Sequence, residues 1–229
     1  MVNGLVRVFD RNMFIMLLSI MIGAIIITYF VADIARRSEI ESYQEQIQDI
    51  TTEKNVFENK SKNFTDHIFK SLGSLDFSRE YKSSADSYYD VAALIWYPNR
   101  EYEKVIVNCT SAMEDYLLGY ENFLNTKSFF NDTIQYSTDV KYTSIISIYK
   151  KLSQSGANIC LLGYNASRLL RSLAENFSLY GNDTNISELL ELYNETLMLL
   201  DLEMGFYMGL LDELQAEYEK YFNPVRETP

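Results

Sequence analysis

The sequence predicts an all-α protein: an N-terminal transmembrane helix continues into a stalk and then into an antiparallel bundle of about four or five helices. Residues 13–32 form an uncharged apolar run, and apolar side chains recur at three- and four-residue steps over most of the remaining chain. The 229 residues also contain only three prolines and nine glycines. A sandwich or barrel needs a turn about every 8–12 residues, so these few helix breakers exclude that class.

The apolar run reads MFIMLLSIMIGAIIITYFVA and carries no charged side chain. A helix of about 20 residues, rising 1.5 Å per residue, spans the roughly 30 Å hydrocarbon core of a bilayer. A cleaved signal peptide is the main alternative, but the run exceeds the usual apolar region of about 7–15 residues. Cleavage after Ala35 would also place Asp33 where a small residue is needed. We therefore expect an uncleaved signal anchor at 13–32.

Nine Asn-x-Ser/Thr triplets follow the run, although 17 Asn and 33 Ser plus Thr would give about two or three by chance. This triplet is the acceptor of N-linked glycans, which require an exported, exposed surface. The predicted glycosylation sites are Asn59, Asn63, Asn108, Asn131, Asn165, Asn176, Asn182, Asn185 and Asn194.

The triplets also set the expected orientation of the chain in the membrane. Basic residues flank the run almost equally on its two sides, so the positive-inside rule does not decide. On the N-terminal side, Asn3 and Asn12 belong to no triplet. We therefore expect a short cytoplasmic segment at 1–12 and an extracellular C-terminal domain, in a single-pass protein of the cell membrane.

Apolar residues continue the helical pattern into a stalk, which we predict to span 33–72. Lys54 and Ser61 occupy the two skipped places of this stripe, and Gly73 is expected to end the helix. The heptad-like spacing leaves two interpretations open. The stripe packs on later helices of the same chain, which the two polar residues favour, or it forms a dimeric coiled coil. Its members are Ile40, Tyr43, Ile47, Ile50, Phe57, Phe64 and Ile68.

The bundle is expected at 73–223, followed by a disordered tail at 224–229. Helix signals predict segments at about 78–96, 99–124 and 140–179, and a last helix from 185 or 187 to 222. Pro98 ends the first of these segments, because the residue before a proline avoids the α region. The segments 129–138 and 180–185 are predicted connections, and the sequence QSGA at 154–157 is expected to kink or divide the third segment. The predicted packing stripe of the last helix is Leu189, Leu192, Tyr193, Leu197, Leu200, Met204, Tyr207, Leu211, Leu214, Tyr218 and Tyr221.

Small, tyrosine and aliphatic residues alternate in the first predicted hairpin of the bundle. They are Ala85, Tyr89, Ala92, Tyr102, Val105, Cys109 and Ala112. In this order they resemble one helix pair of the tetratricopeptide family, in which small residues lie at helix crossings and a tyrosine opens the second helix. The resemblance covers about 35 residues and implies an antiparallel helical hairpin.

Cys109 and Cys160 are the two cysteines of the chain. Outside the cell an even pair suggests a disulfide, which would close a loop of about 50 residues and contribute about 3–4 kcal/mol in the chain-entropy model. The alternative is two buried free thiols. We expect no metal site, because His67 and two distant cysteines do not make a tetrahedral ligand set.

No residue pattern predicts catalysis or a cofactor. His67 is the single histidine and is expected to be a solvated helical residue. Carboxylate pairs such as Glu188 and Glu191 follow helix faces, as ordinary acidic surfaces do. No glycine-rich phosphate loop occurs, and the net charge of −12 excludes a nucleic-acid footprint.

Eighteen tyrosines are the other unusual feature of the composition. Tyrosine combines a large contact area with a polar tip, so it suits both half-buried helix faces and binding surfaces. We expect most of them in the core. If the chain has a tyrosine-rich interaction surface, it is expected around the first predicted turn of the bundle, at Tyr88, Tyr89, Tyr97 and Tyr102.

Together these features favour a non-enzymatic, membrane-anchored and N-glycosylated helical protein. We expect it to act at the cell envelope as a structural or protein-interaction module, through a protein partner or through self-association. Two alternatives remain open: an extracellular sensor or ligand-binding domain that works with a separate signalling chain, and a pilin-like filament subunit. The pilin-like alternative lacks a basic-Gly processing site before the apolar run.

Overall fold

The computed structural model describes residues 2–96, 101–180 and 186–222. Within these ranges it contains four helices and no strand, so the predicted all-α class is confirmed there. The helices are α1 (Val2–Trp96), α2 (Tyr102–Ile134), α3 (Val140–Tyr180) and α4 (Ser187–Phe222). The chain divides into two compact units, Met1–Glu58 and Asn59–Pro229, so α1 contributes to both.

The first unit consists of the N-terminal part of α1. The described apolar side chains of its predicted anchor are exposed, as illustrated by Phe14 at 66%, Ile20 at 58% and Phe30 at 64%. Among the described residues, this is the one helix that is long and apolar enough to cross a membrane. An apolar helical surface that no protein group covers is suited to contact with lipid chains.

The predicted helix end at Gly73 is wrong, because α1 continues without interruption to Trp96. The segment predicted to begin near Ser78 is therefore part of α1. Glycine disfavours a helix by about 1 kcal/mol relative to alanine, but it keeps the backbone N–H that a helix needs. Ser71 and Leu75 on either side are buried, so tertiary packing outweighs this local cost.

The predicted connection at 129–138 is also largely wrong, because α2 continues to Ile134. Phe130 and Thr133 are fully buried, which extends the helix beyond the end that local propensity suggests. The connection to α3 is the segment 135–139. Three of its backbone N–H groups donate to carbonyl oxygens three residues earlier, at 3.1–3.2 Å.

The other predicted helix boundaries agree with the structure to within one or two residues, where they can be compared. These are the end of α1 at Trp96, both ends of α3, and the span of α4. The segment at 154–157 does not divide α3. Of the predicted turn at 180–185, Tyr180 is the last residue of α3, whereas 181–185 lie outside the described residues, as do Tyr97 to Arg100 and the tail at 224–229.

In the second unit, α2 and α3 pack with aromatic rings seated over glycines. A Cβ atom placed on Gly156 would lie 2.5 Å from the Phe123 ring, and one on Gly163 would lie 2.5 Å from the Tyr116 ring. Phe123 is fully buried, and Tyr116 is 2% exposed. The glycines thus remove side-chain volume where the rings cross α3, which allows close packing of the two helices. This explains why a Ser-Gly pair lies inside α3 without ending it.

The contact between α1 and α2 is made partly by small hydroxyl side chains. The Ser71 and Thr133 hydroxyls are 3.1 Å apart, and Thr126 lies 2.7 Å from the Ser74 hydroxyl and 3.2 Å from that of Ser78. Buried hydroxyls need hydrogen-bond partners, and here each helix supplies them to the other. The contact continues through Ala85 and Ala112, which are fully buried in the same cluster.

Helix α4 packs on α3 through Leu210 and Leu214 near its C-terminal half and through Tyr193 near its start. Of the predicted stripe, Tyr193 and Leu214 are buried, whereas Leu192 and Met204 remain 47% and 45% exposed. The buried α3 residues in the cluster with Leu210 and Leu214 are Ile145, Ile148 and Leu152.

The apolar stripe of the predicted stalk has two different environments. Phe64 and Ile68 pack against the core of the second unit, as the favoured interpretation requires. The earlier members do not follow that interpretation, since they are 46–65% exposed. These exposed residues are Ile40, Tyr43, Ile47, Ile50 and Phe57.

We predict that Gly156→Ala destabilises the second unit, because the new methyl group would overlap the buried Phe123 ring. Overpacking typically costs about 1–3 kcal/mol, which exceeds the gain of about 1 kcal/mol from better helix propensity. The matched control is Gly73→Ala, because a Cβ atom there meets nothing within 4 Å. It should stabilise the helix by up to about 1 kcal/mol.

Urea unfolding of the detergent-solubilised full chain measures both variants. The single Trp96 reports on the second unit, because its ring lies 5.3 Å from Phe177 and 5.9 Å from Tyr102. A higher midpoint for Gly156→Ala than for the wild type would contradict the proposed ring-over-glycine packing.

Candidate functional site

The described residues offer no group of three or more His, Cys, Asp or Glu side chains that could hold a metal ion. His67 is half-buried rather than solvated, and its ring stacks on Tyr136 with the centroids 4.8 Å apart. Glu188 and Glu191 lie exposed near the start of α4. His67 and the carboxylates considered for acid–base chemistry therefore lie on different helices, α1 and α4.

The predicted tyrosine surface is divided between core and solvent. The Tyr89 hydroxyl lies 2.6 Å from that of Tyr193, and burial together with this neighbour raises the pKa of Tyr89. Tyr102 stacks on Phe177 with ring centroids 5.9 Å apart. Tyr88 is 41% exposed, and Tyr97 lies outside the described residues. Two of the three described tyrosines thus serve to pack α1 and α2 against α3 and α4.

Both cysteines are free and buried, in two different core clusters. Cys160 lies beside Gly119, where an added Cβ atom would come within 3.0 Å of the sulfur. Burial raises the pKa of Cys109 and of Cys160 to about 12 each. The arrangement corresponds to the alternative of two separate thiols, and neutral thiols are poor nucleophiles and metal ligands.

A cleft of about 360 Å³ lies between α1, α3 and α4 in the second unit. The Arg79 Nε donates a hydrogen bond to the Tyr207 hydroxyl at 3.3 Å, which connects α1 to α4 across the cleft. Polar residues of α1 form one wall, and the other walls are mainly apolar. The lining residues are Arg79, Lys82, Ser83, Asp86, Ile159, Met204, Tyr207 and Met208.

The charged groups of the cleft largely neutralise one another. Lys82 donates to one oxygen of Asp86 at 2.5 Å, and the buried Tyr116 hydroxyl donates to the other at 2.7 Å. Arg79 is 3.8 Å from the exposed Asp76, which is a weaker pairing. The cleft can therefore accommodate an anionic group next to an apolar body, with Arg79 as the cation most accessible to it.

Helix α4 also presents an exposed apolar surface on the side away from α3, which we call the outer face of α4. Met198 and Leu202 are each 68% exposed, and Phe206 is 56% exposed. Gly205 and Gly209 complete the face, so its members recur at the spacing of one helix side. Sequence inspection missed this face because it followed the buried stripe of the same helix. The Gly-x-x-x-Gly spacing in GFYMG at 205–209 is the signal that could have identified it.

The two glycines of the outer face have open space in front of them. A Cβ atom at Gly205 or Gly209 would meet nothing within 4 Å. The glycines of the second unit that lie between helices behave differently, since each has a side chain of the neighbouring helix within 3.0 Å of its Cβ position. These are Gly119, Gly156 and Gly163.

The charge of the chain is concentrated on α4, which contains nine acidic residues and one lysine, Lys220. Its net charge of −8 accounts for most of the −12 of the whole chain. Glu195, Asp201 and Asp212 border the outer face at its two ends and along one side. The outer face is thus an apolar strip with an acidic margin.

The glycosylation triplets differ in how the fold presents them. Four of the asparagines are exposed: Asn59, Asn63, Asn131 and Asn194. Three are half-buried: Asn108, Asn165 and Asn176. The Ser167 hydroxyl of the Asn165 triplet is fully buried, so this triplet is the least accessible of the seven described. Asn182 and Asn185 lie outside the described residues.

Comparison with known protein families, characterised proteins and solved structures gives no significant match. The tetratricopeptide resemblance therefore depends on its seven residues alone. Of these, Ala85, Ala92, Val105, Cys109 and Ala112 are fully buried, as helix-crossing positions should be. The helices that carry them are much longer than that family's, because α1 has 95 residues and α2 has 33.

We predict that neither thiol reacts in the native protein and that both react after unfolding. At about pH 8, thiols with a pKa near 12 are almost entirely protonated, and burial also blocks reagent access. Titration with a chromogenic disulfide reagent, without reductant, should count no thiol per native chain and two in denaturant. A count of zero in denaturant would show that Cys109 and Cys160 are bridged.

Proposed function

We propose that this chain is a single-pass membrane protein whose extracellular, N-glycosylated helical domain binds a partner protein through the outer face of α4. The observation that carries the proposal is the exposure of Met198, Leu202 and Phe206 beside two glycines that none of the described groups covers. Solvent-exposed apolar strips of this kind are typical of interaction surfaces. The chemistry of the described residues gives a binding role more support than a catalytic one.

The glycines indicate the kind of element that binds. Within the second unit, Gly119, Gly156 and Gly163 lie where a neighbouring helix approaches closely, whereas Gly73 of α1 has open space in front of it, as Gly205 and Gly209 do. At Gly205 and Gly209 the same residue type destabilises an exposed helix by about 1 kcal/mol per position relative to alanine, and it gains no contact with the part of the chain that the structure describes. A helix of the partner lying along the outer face would supply the missing contact.

The acidic margin indicates the charge of that helix. With Glu195, Asp201 and Asp212 around the apolar strip, a partner helix with lysine or arginine beside its own apolar stripe is electrostatically complementary. A second copy of α4, with a net charge of −8, would bring like charges together. The partner we propose is therefore a cationic amphipathic helix of another protein.

The exposed apolar helix at 13–32 and the nine triplets support the anchoring and the orientation. No triplet lies before the apolar run, which fits a cytoplasmic N-terminal segment. An acidic extracellular domain also has no electrostatic attraction to anionic lipid, which leaves the outer face available for a protein.

We predict that protease added to intact cells removes the domain after residue 33, and that N-glycosidase lowers the apparent mass of the chain. Glycopeptide mass spectrometry should find high occupancy at Asn59 and Asn63, where the asparagine and the hydroxyl residue are both exposed. Asn165 should have the lowest occupancy of the described sites. Protection of the domain until cells are permeabilised would contradict the proposed topology.

The double variant Gly205→Leu and Gly209→Leu tests the outer face. The probe is a synthetic helix with a leucine stripe and lysines on both sides of it. The two new side chains should fill the space that the probe needs and weaken its binding at least about tenfold. They should not lower the unfolding midpoint, because leucine favours a helix by about 1 kcal/mol over glycine. Fluorescence anisotropy of the labelled probe measures the affinity.

Two controls separate docking from non-specific attraction to an acidic protein. Gly73→Leu changes an exposed α1 glycine that also has open space before it, and it should leave the affinity unchanged. A probe with glutamate in place of lysine should bind at least about tenfold more weakly. Equal binding of the two probes, or a loss of affinity caused by Gly73→Leu, would refute the assignment to the outer face.

A further inference from the structure

The exposed part of the stalk stripe has the pattern of a coiled-coil seam. Between residues 38 and 58 the chain has six apolar side chains, and five of them fall on the a and d positions of one heptad register. We call these five residues the stalk seam, and Val56 is the exception. In this register Ile40 and Ile47 occupy a positions, whereas Tyr43, Ile50 and Phe57 occupy d positions.

The stalk seam is uncovered in the structure. Ile47, Ile50 and Phe57 are 60–65% exposed. The same stripe continues with Phe64 and Ile68, which pack against the core of the second unit. The later part of this stripe therefore packs against other helices, whereas its earlier part is exposed.

We propose that the stalk seam pairs with the stalk seam of a second copy of this chain, in a parallel, two-stranded coiled coil. β-branched a positions such as Ile40 and Ile47 favour two strands when leucine occupies the d positions, and Ile50 at a d position weakens that preference. The number of strands therefore rests mainly on the polar residue at the third a position, Lys54. The parallel direction rests on the proposed membrane anchoring, because two copies inserted in the same orientation present their stalks side by side. The outer face of α4 is not involved, so one chain can use both surfaces.

Lys54, at the third a position, fixes the register of the pair. A single lysine at an a position specifies alignment and oligomeric state at some cost in stability. Glu53 and Glu58 occupy the neighbouring g and e positions, and Lys54 already lies 3.6 Å from Glu58 within one helix. In the symmetric register the two lysines meet between four carboxylates, so both positive charges are compensated. A shift by one heptad would place each lysine opposite an isoleucine or serine.

The glycosylation triplets nearest to the seam lie on the opposite side of the heptad. Asn59 falls on an f position and Asn63 on a c position, which are the outward positions of a two-stranded coil. N-linked glycans at these residues would leave the seam accessible. The seam thus lies on a side of the helix that sugar does not shield.

The seam is short, about 26 Å at 1.5 Å per residue, so isolated peptides of this length would pair only weakly in water. Anchoring changes this, because confinement to one membrane raises the effective concentration of one stalk near another. We therefore expect association of the full chain in membranes rather than of the stalk segment in dilute solution.

Cysteine crosslinking of the full chain in native membranes tests the pairing. Ile50→Cys places a thiol in the seam, and Thr52→Cys places one at an f position on the opposite side. Oxidation should convert Ile50→Cys to a dimer at least about fivefold faster than Thr52→Cys, because paired d positions bring the two sulfur atoms together. The wild type gives the background, since its own thiols are buried.

A second variant separates the seam from other contacts. Ile47→Asp, with the thiol at Ile50→Cys kept, should reduce the dimer yield at least about fivefold while far-UV circular dichroism stays unchanged. Equal crosslinking of Ile50→Cys and Thr52→Cys would overturn the proposal, as would an adduct with a different protein in place of the dimer. If the glycan and protease experiments failed but Ile50→Cys still crosslinked, the pairing of the stalks would stand. Only the proposed orientation of the dimer in the membrane would be lost.

Discussion

The packing of the second unit depends on the fit between the aromatic rings of α2 and the glycines of α3. Phe123 over Gly156 and Tyr116 over Gly163 fix both the spacing and the axial register of the two helices, because a side chain in place of either glycine would overlap the ring above it. The Tyr116 hydroxyl then reaches Asp86 of α1, and Asp86 binds Lys82. The register of α2 on α3 therefore also determines where Tyr116 meets Asp86 in the polar wall of the cleft. The position of α4 follows as well, since its contacts are made to the same helix α3.

The sequence was sufficient for helix type and for boundaries set by local chemistry. Pro98 predicted that a helix ends at Trp96 and Asn223-Pro224 that another ends at Phe222, and the described parts of α1 and α4 extend to these residues. It was insufficient where tertiary contacts outweigh local preference. Gly73 lies inside a helix because its neighbours are buried against α2, and the segment after Phe129 stays helical because Phe130 and Thr133 are in the core. A glycine can thus either end a helix or lie inside one, and a single sequence without knowledge of the contacts does not distinguish the two cases.

The candidate sites likewise depend on which helix surfaces the fold covers, and residue type alone does not show this. The tyrosine surface was inferred from residue type, and the fold uses Tyr89 and Tyr102 for packing instead. The outer face of α4 was missed because two apolar stripes share one helix, and only the positions of the other helices show which stripe is covered. The heptad stripe of the stalk was recognised, but its division at Phe64 into covered and uncovered parts depends on where α2 ends and α3 begins, since the Phe64 ring packs on Tyr142 of α3. Cys109 and Cys160 lie in separate clusters for the same reason, since the register of α2 on α3 fixes their positions.

Exposed apolar residues have different physical consequences in three regions of the chain. At 13–32 they surround the helix, and such a surface is suited to contact with hydrocarbon. In the stalk they form a narrow seam with polar residues on every other side, which suits one further helix of matching period. On α4 the strip includes glycines and is bordered by carboxylates, which favours the closely approaching, positively charged partner that we propose. The arrangement of apolar residues around the helix, more than their number, therefore determines whether lipid, a like helix or an unlike helix is the complementary surface.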